Sequence, residues 1–131
     1  FSAGDLERVR IVERDPLPIP LPPFSGLVRS MGLDFPDISE TAAITFDHVM
    51  ATREAMGTGL LFHELVHVVQ YRLLGVKEFA RLYVRGFLRQ RCYEKIPLEC
   101  CAFELEARFC ASSIPFRVEK EVGAWIERGR F

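Results

Sequence analysis

Apolar positions follow two rhythms along this chain, and the helical one dominates the second half. Val9 to Val12 (Val-Arg-Ile-Val) reads as a short strand. Pro16, Pro18, Pro20, Pro22 and Pro23 follow, five of the eight prolines. A stretch so rich in proline cannot be helix interior or central strand, and its leucines and isoleucine read as anchors of an extended surface strap. Phe24 to Met31 suits a short helix stopped by Gly32. Thr41 to Met50 is the best strand candidate, with β-branched and aromatic residues in partial alternation. Gly57-Thr58-Gly59 then breaks the chain before a long helix from about Thr58 to Leu74, which Gly75 ends. Lys77 to Gln90 reads as the next helix, with Phe79, Tyr83 and Phe87 at steps of four. Pro97 suits a first helical position, so another helix is expected to about Ser112, closed by Ser112-Ser113-Ile114-Pro115. Arg117 to Arg128 completes the series, with Val118, Val122, Trp125 and Ile126 on one face. The pattern predicts one small α+β domain spanning residues 1–131, its helices gathered in the second half.

Composition narrows the class without naming a function. At 131 residues and 49% hydrophobic, the chain can build one core and is neither disordered nor collagen-like. A net charge of −1 gives no global reason to expect nucleic acid or an anionic membrane as partner. No uninterrupted apolar run approaches the roughly 20 residues of a membrane span; the longest, Leu60 to Val69, is broken by His63, Glu64 and His67. Cys92, Cys100, Cys101 and Cys110 form no Cys-x-x-Cys pair, so zinc-finger and thioredoxin spacings are absent. Reduced, packed thiols of a cytoplasmic protein are the expectation. The chain opens at Phe1 without a signal-like segment, which is compatible with a fragment of a longer protein.

The informative residues are His63-Glu64-Leu65-Val66-His67, a His-Glu-x-x-His motif inside the long helical pattern. Side chains four apart lie on one helix face, so both imidazoles can meet one Zn²⁺. Glu64 projects beside that metal, where it can take a proton from bound water. The surrounding residues are almost all apolar, which predicts a buried helix, and buried His and Glu need partners. A metal supplies them; a hydrogen-bonded His–Glu–His cluster without metal is the bland alternative. A catalytic site needs a third protein ligand. Gln70 and Leu73 stand where an extended His-Glu-x-x-His-x-x-Gly-x-x-His motif would have Gly and His, and the remaining histidine, His48, is on the predicted strand. A later carboxylate is therefore expected among Glu94, Glu99, Glu104 and Glu106, with Glu99, in the first turn of the Pro97 helix, the leading candidate.

Together with Ile96-Pro97-Leu98-Glu99 and Ala102-Phe103-Glu104-Leu105-Glu106-Ala107-Arg108, the motif resembles the small bacterial zincin-like domains of the gluzincin clan, over about Thr41 to Phe109. The resemblance implies a zincin-like fold, His63, His67 and Glu99 as zinc ligands, and Glu64 as general base. It also implies peptide-bond hydrolysis and a Thr41–Met50 strand bordering the substrate cleft. Where many clan members place an acidic residue to hold the first histidine, this chain has Phe103, so Glu106 or Asp47 is expected to take that part. The implied protein is a zinc metallopeptidase acting on peptides or proteins, with no nucleic-acid or membrane partner; its oligomeric state is not legible. Rival readings are a zinc-stapled domain without catalysis and a latent protease module of a larger protein. A deformylase fits less well, because its cysteine ligand lies upstream and every cysteine here is downstream of His67. Weaker signals are the Arg81, Arg85 and Arg89 stripe, read as a solvated face, and Tyr71, read as core. Tyr93 or His48 is a candidate oxyanion partner.

Overall fold

The computed structural model describes residues 1–15, 17 and 42–131. Their order is α1 (Ala3–Arg8), β1 (Arg10–Glu13), β2 (Ala43–Phe46), β3 (Val49–Thr52), α2 (Thr58–Leu74), α3 (Val76–Gln90), a 3₁₀ turn (Tyr93–Lys95), α4 (Pro97–Ala111) and α5 (Val118–Glu127). Among the described residues this is mixed α+β, with most of the helix in the second half. The small sheet has strand order β1-β3-β2. The expected proline strap and the Phe24–Met31 helix lie outside the described residues.

One expected element is corrected. Of the expected Thr41–Met50 strand, the described residues 42–50 are not one strand but the first part of a hairpin, in which Ala43 pairs with Thr52 and Phe46 with Val49. Asp47 turns the chain at φ 54°, a left-handed conformation that a short side chain such as Asp tolerates better than most. His48 therefore sits in the turn. β1 lies parallel to β3 on its other side, one residue later than the Val9–Val12 strand expected from the sequence. Helix α1 was not read from the sequence. Its signal is a capping box in which Ser2 accepts from the Asp5 amide and Asp5 returns a bond to the Ser2 amide.

Helix α2 is the centre of the packing and touches β2 and every later helix. From Phe62 to Tyr71 it is buried except at Leu65, as an all-round apolar helix must be. On one side Phe62, Val66 and Val69 pack with Cys101, Ala102 and Leu105 of α4 and with Val118, Val122 and Trp125 of α5. Nearer its end, Tyr71 joins Phe79, Leu82, Phe87, Ile96 and Leu98 in a second cluster. Arg72 reaches Asp5 of α1 at 2.6 Å and Glu119 of α5 at 3.2 Å. The approach of α3 to the start of α4 depends on Gly86, where a Cβ would lie 2.9 Å from the Pro97 ring. That contact fixes the entry of α4, which begins with Pro97 at its first position and has Glu99 in its first turn.

All four cysteines are free; Cys101 is buried while Cys110 is exposed, so the expectation of packed thiols fails at Cys110. Burial pushes the Cys101 thiol up to about 12, which makes it a core group rather than a nucleophile. Among the described residues no helix is long and apolar enough to cross a membrane.

Candidate metal centre

Two helices build the site. The four-residue spacing on α2 brings the imidazoles of His63 and His67 together edge to face, with their Nε2 atoms 3.1 Å apart. The first turn of α4 brings Glu99 between them, its Oε2 3.3 Å from each Nε2. His63, His67 and Glu99 are all buried. A four-coordinate zinc with bonds of about 2.0–2.1 Å has ligand-to-ligand edges of about 3.3–3.4 Å. The observed triangle is thus close to one face of that tetrahedron, and the three residues could hold a metal ion.

The outer nitrogens determine what the inner ones carry. His63 Nδ1 lies 3.1 Å from Glu106 Oε2, and an ionised carboxylate only accepts, so Nδ1 donates. His67 Nδ1 lies 2.8 Å from Gln70 Oε1. The Gln70 amide nitrogen donates to the Leu98 carbonyl at 2.9 Å, so its oxygen faces His67 and again Nδ1 donates. With those outer bonds made, each imidazole in its neutral form would present a lone pair at Nε2 toward the same carboxylate oxygen. Three acceptors converging in a buried site require a cation between them, either a metal ion or an added proton.

Without metal, the proton is held tightly. Burial opposes the charged form of His67, but the charges of Glu99 and Glu64 and the hydrogen bonds of Glu99 and Gln70 outweigh it and raise its pKa to about 9. Burial works the other way on Glu99, yet the two histidines hold its carboxyl well below the usual range. The hydroxyls of Tyr83 and Tyr93 flank Glu99, and burial together with its charge pushes both upward, so they remain protonated donors. Glu64, whose charge also acts on His67, is tied to the sheet. Thr45 Oγ1 donates to its Oε2 at 2.6 Å, and both residues are buried. The 19-residue separation is bridged because alternation along β2 turns Ala43 and Thr45 inward.

The other candidates separate cleanly. Glu104 is a surface residue 3.8 Å from Arg130, and Glu94 is exposed and accepts from the Cys92 thiol. Neither belongs to the cluster. Glu106, not Asp47, partners the first histidine. Its second oxygen lies against Gly59, where a Cβ would come within 3.0 Å, in a first turn of α2 that favours negative charge. Asp47 instead pairs with His48 at 2.7 Å. Phe103 packs at a tilt against His63 with centroids 4.6 Å apart. Tyr71 packs on Phe79 at 3.7 Å as a core residue. Of the stripe on α3, Arg81 pairs with Glu78 and Arg85 donates to the Phe131 carbonyl. Sequence reasoning missed Gln70, Thr45 and Tyr83 as parts of the site. Gln70 had a usable signal, since it lies three residues after His67 and seven after His63, on one helix face.

Comparison with protein-family models, with curated proteins and with solved structures finds no match to this chain.

Proposed function

We propose that the protein is a zincin-like zinc metallopeptidase, with His63, His67 and Glu99 holding Zn²⁺ and Glu64 acting as general base on peptide or protein substrates. The observation that carries this reading is the convergence of two imidazole lone pairs and one carboxylate at zinc-like spacing. Mixed nitrogen and oxygen donors in a small buried site favour zinc over calcium or magnesium, which prefer more oxygen ligands. When bound, the ion would polarise the scissile carbonyl and lower the pKa of a neighbouring water. The chain's own residues then orient and move protons. Glu64, which directly follows a ligand and is held by Thr45, takes the proton of the attacking water and passes it to the leaving amine. Tyr83 and Tyr93, protonated beside Glu99, supply donors at the edge of the site. The candidate His48 is less well placed than Tyr93, because its Nδ1 is engaged by Asp47 in the β2–β3 turn.

The burial of every ligand side chain supports a second reading, a closed structural zinc that ties α2 to α4. Glu64→Gln separates the two, since it keeps size and removes basicity. Zinc content and fold are expected to be unchanged. Cleavage of denatured protein and peptide libraries should fall about 10²–10⁴-fold. Equal cleavage by both proteins rejects the catalytic role of Glu64, and zinc binding without cleavage by either favours the structural reading.

A further inference from the structure

We infer that Gln70 is a positioning residue that sets the zinc affinity of the site, by fixing the orientation of His67 and tying it to the turn of α4 that carries Glu99. The inference rests on the metal reading above and adds a residue to it. Gln70 is completely buried, in a helix face where an apolar side chain would fill the same volume without the need for partners. Its amide is used at both ends. The nitrogen donates to the Leu98 carbonyl at 2.9 Å and the oxygen faces His67 Nδ1 at 2.8 Å.

The order of dependence starts at the backbone. The Leu98 carbonyl accepts only, so the amide cannot be reversed without placing two oxygens against each other in the core. The amide orientation then requires the proton on His67 Nδ1 and leaves Nε2 free for the metal. Leu98 immediately precedes Glu99. One side chain therefore fixes both the lone pair of a ligand on α2 and the placement of a ligand on α4. The partner of His63 is built differently, because the Glu106 side chain is 27% exposed and water can compete for the same bond. The positional control of the centre is concentrated at Gln70.

The test measures zinc affinity by chelator competition on the purified chain, with the melting temperature of the metal-free form measured alongside. Gln70→Met keeps the length and removes both hydrogen bonds, and zinc affinity should fall about 10–100-fold. Gln70→Glu keeps an acceptor for the Nδ1 proton and should bind zinc more tightly than Gln70→Met. A glutamine with a merely structural role would lower the metal-free melting temperature and leave the zinc affinity of the folded protein unchanged. Equal zinc affinity of wild type and Gln70→Met overturns the inference and leaves the metal reading standing, as does a Gln70→Glu variant no better than Gln70→Met. A wild-type chain that takes up no zinc overturns both. Should Gln70→Met fail to fold, the imidazole nitrogen shifts of zinc-loaded wild type decide. Coordination of His67 through Nε2 with the proton on Nδ1 supports the inference, and coordination through Nδ1 overturns it.

Discussion

Helix α2 presents two buried faces made from neighbouring residues, and they are held by opposite kinds of force. Phe62, Val66 and Val69 face α4 and α5, where the contacts are apolar and nondirectional. Each such side chain contributes roughly 1.5–3 kcal/mol by leaving water, with modest demands on geometry. His63, His67 and Gln70 face the start of α4, where every atom has an assigned partner at a defined distance. Among the described residues no buried side-chain nitrogen or oxygen lacks a hydrogen-bond partner. Such a network adds little net stability but tolerates few alternatives. One face therefore makes the fold stable, while the other makes a single arrangement of donors inside it.

The comparison breaks most visibly at its apolar side. Trp125 anchors the α5 end of that core and also stacks on Phe131. Trp125→Ala should cost about 3–5 kcal/mol in denaturant unfolding, and the folded fraction should bind zinc as wild type does. A loss of zinc affinity in proportion to stability would show that the two faces are not separable. On the polar side, Glu99→Ala removes the oxygen shared by both histidines. Its zinc affinity should fall by more than the roughly 100-fold typical of a lost outer partner. Glu104→Ala, at the surface, should change zinc binding and stability little. A Glu104 effect exceeding that of Glu99 would mean the ligand has been assigned to the wrong turn of α4.

Gly86 is where a packing change should reach the metal. An added Cβ would meet the Pro97 ring at 2.9 Å and Ile96 Cγ2 at 3.1 Å, so Gly86→Ala forces a shift between α3 and the start of α4. Overpacking of this kind costs about 1–3 kcal/mol. Because Glu99 and the Leu98 carbonyl follow directly, zinc affinity should fall with it, unlike in Trp125→Ala. Stability loss with intact zinc affinity would place the adjustment in α3 instead.

The ease of reading these two faces from the sequence also differs. The periodic apolar positions marked four helices within a residue or two, because burial of a helix face leaves a repeating trace. The pairing of His63 with His67 was legible for the same reason: a spacing of four puts both side chains on one helix face. Glu99 was legible as one of four carboxylates, since Pro97 announces a helix start but nothing local says which turn meets α2. Gln70, Thr45 and Tyr83 left weaker traces, because their roles exist only through contacts with distant segments. The hairpin was misread because Asp47 and His48, with no glycine, carry little turn signal between two β-prone runs. Helix α1 is too short for periodicity, and only its cap residues betray it.

The smallest expected effect is a pH dependence that belongs to the polar face alone. In the metal-free protein the His67 pKa is raised from 6.5 to about 9. A raised pKa means that the folded form binds the proton more tightly than the unfolded chain. The resulting stabilisation is fully present below pH 6.5 and is lost as the pH rises toward 9. Glu99 has the opposite sign. Its pKa is held well below the ordinary 4.5, so its contribution is present above pH 4.5 and is lost as acid protonates the folded carboxylate. From this pair, the metal-free protein should be most stable between the two ordinary values and should lose a few degrees of melting temperature on the alkaline side. In the proposed metal reading zinc would take the place of the proton, so its uptake should release protons and its affinity should increase with pH up to the folded His67 value. The zinc-loaded protein should then melt at nearly the same temperature across that alkaline range. Trp125→Ala, which touches no titrating group of the site, should lower the whole metal-free profile without changing its shape. Melting curves of both proteins, with and without zinc, provide the check. An alkaline decline that persists unchanged in the zinc form would assign it to groups outside the metal centre, and a flat metal-free profile would remove the proton from between the two histidines and Glu99.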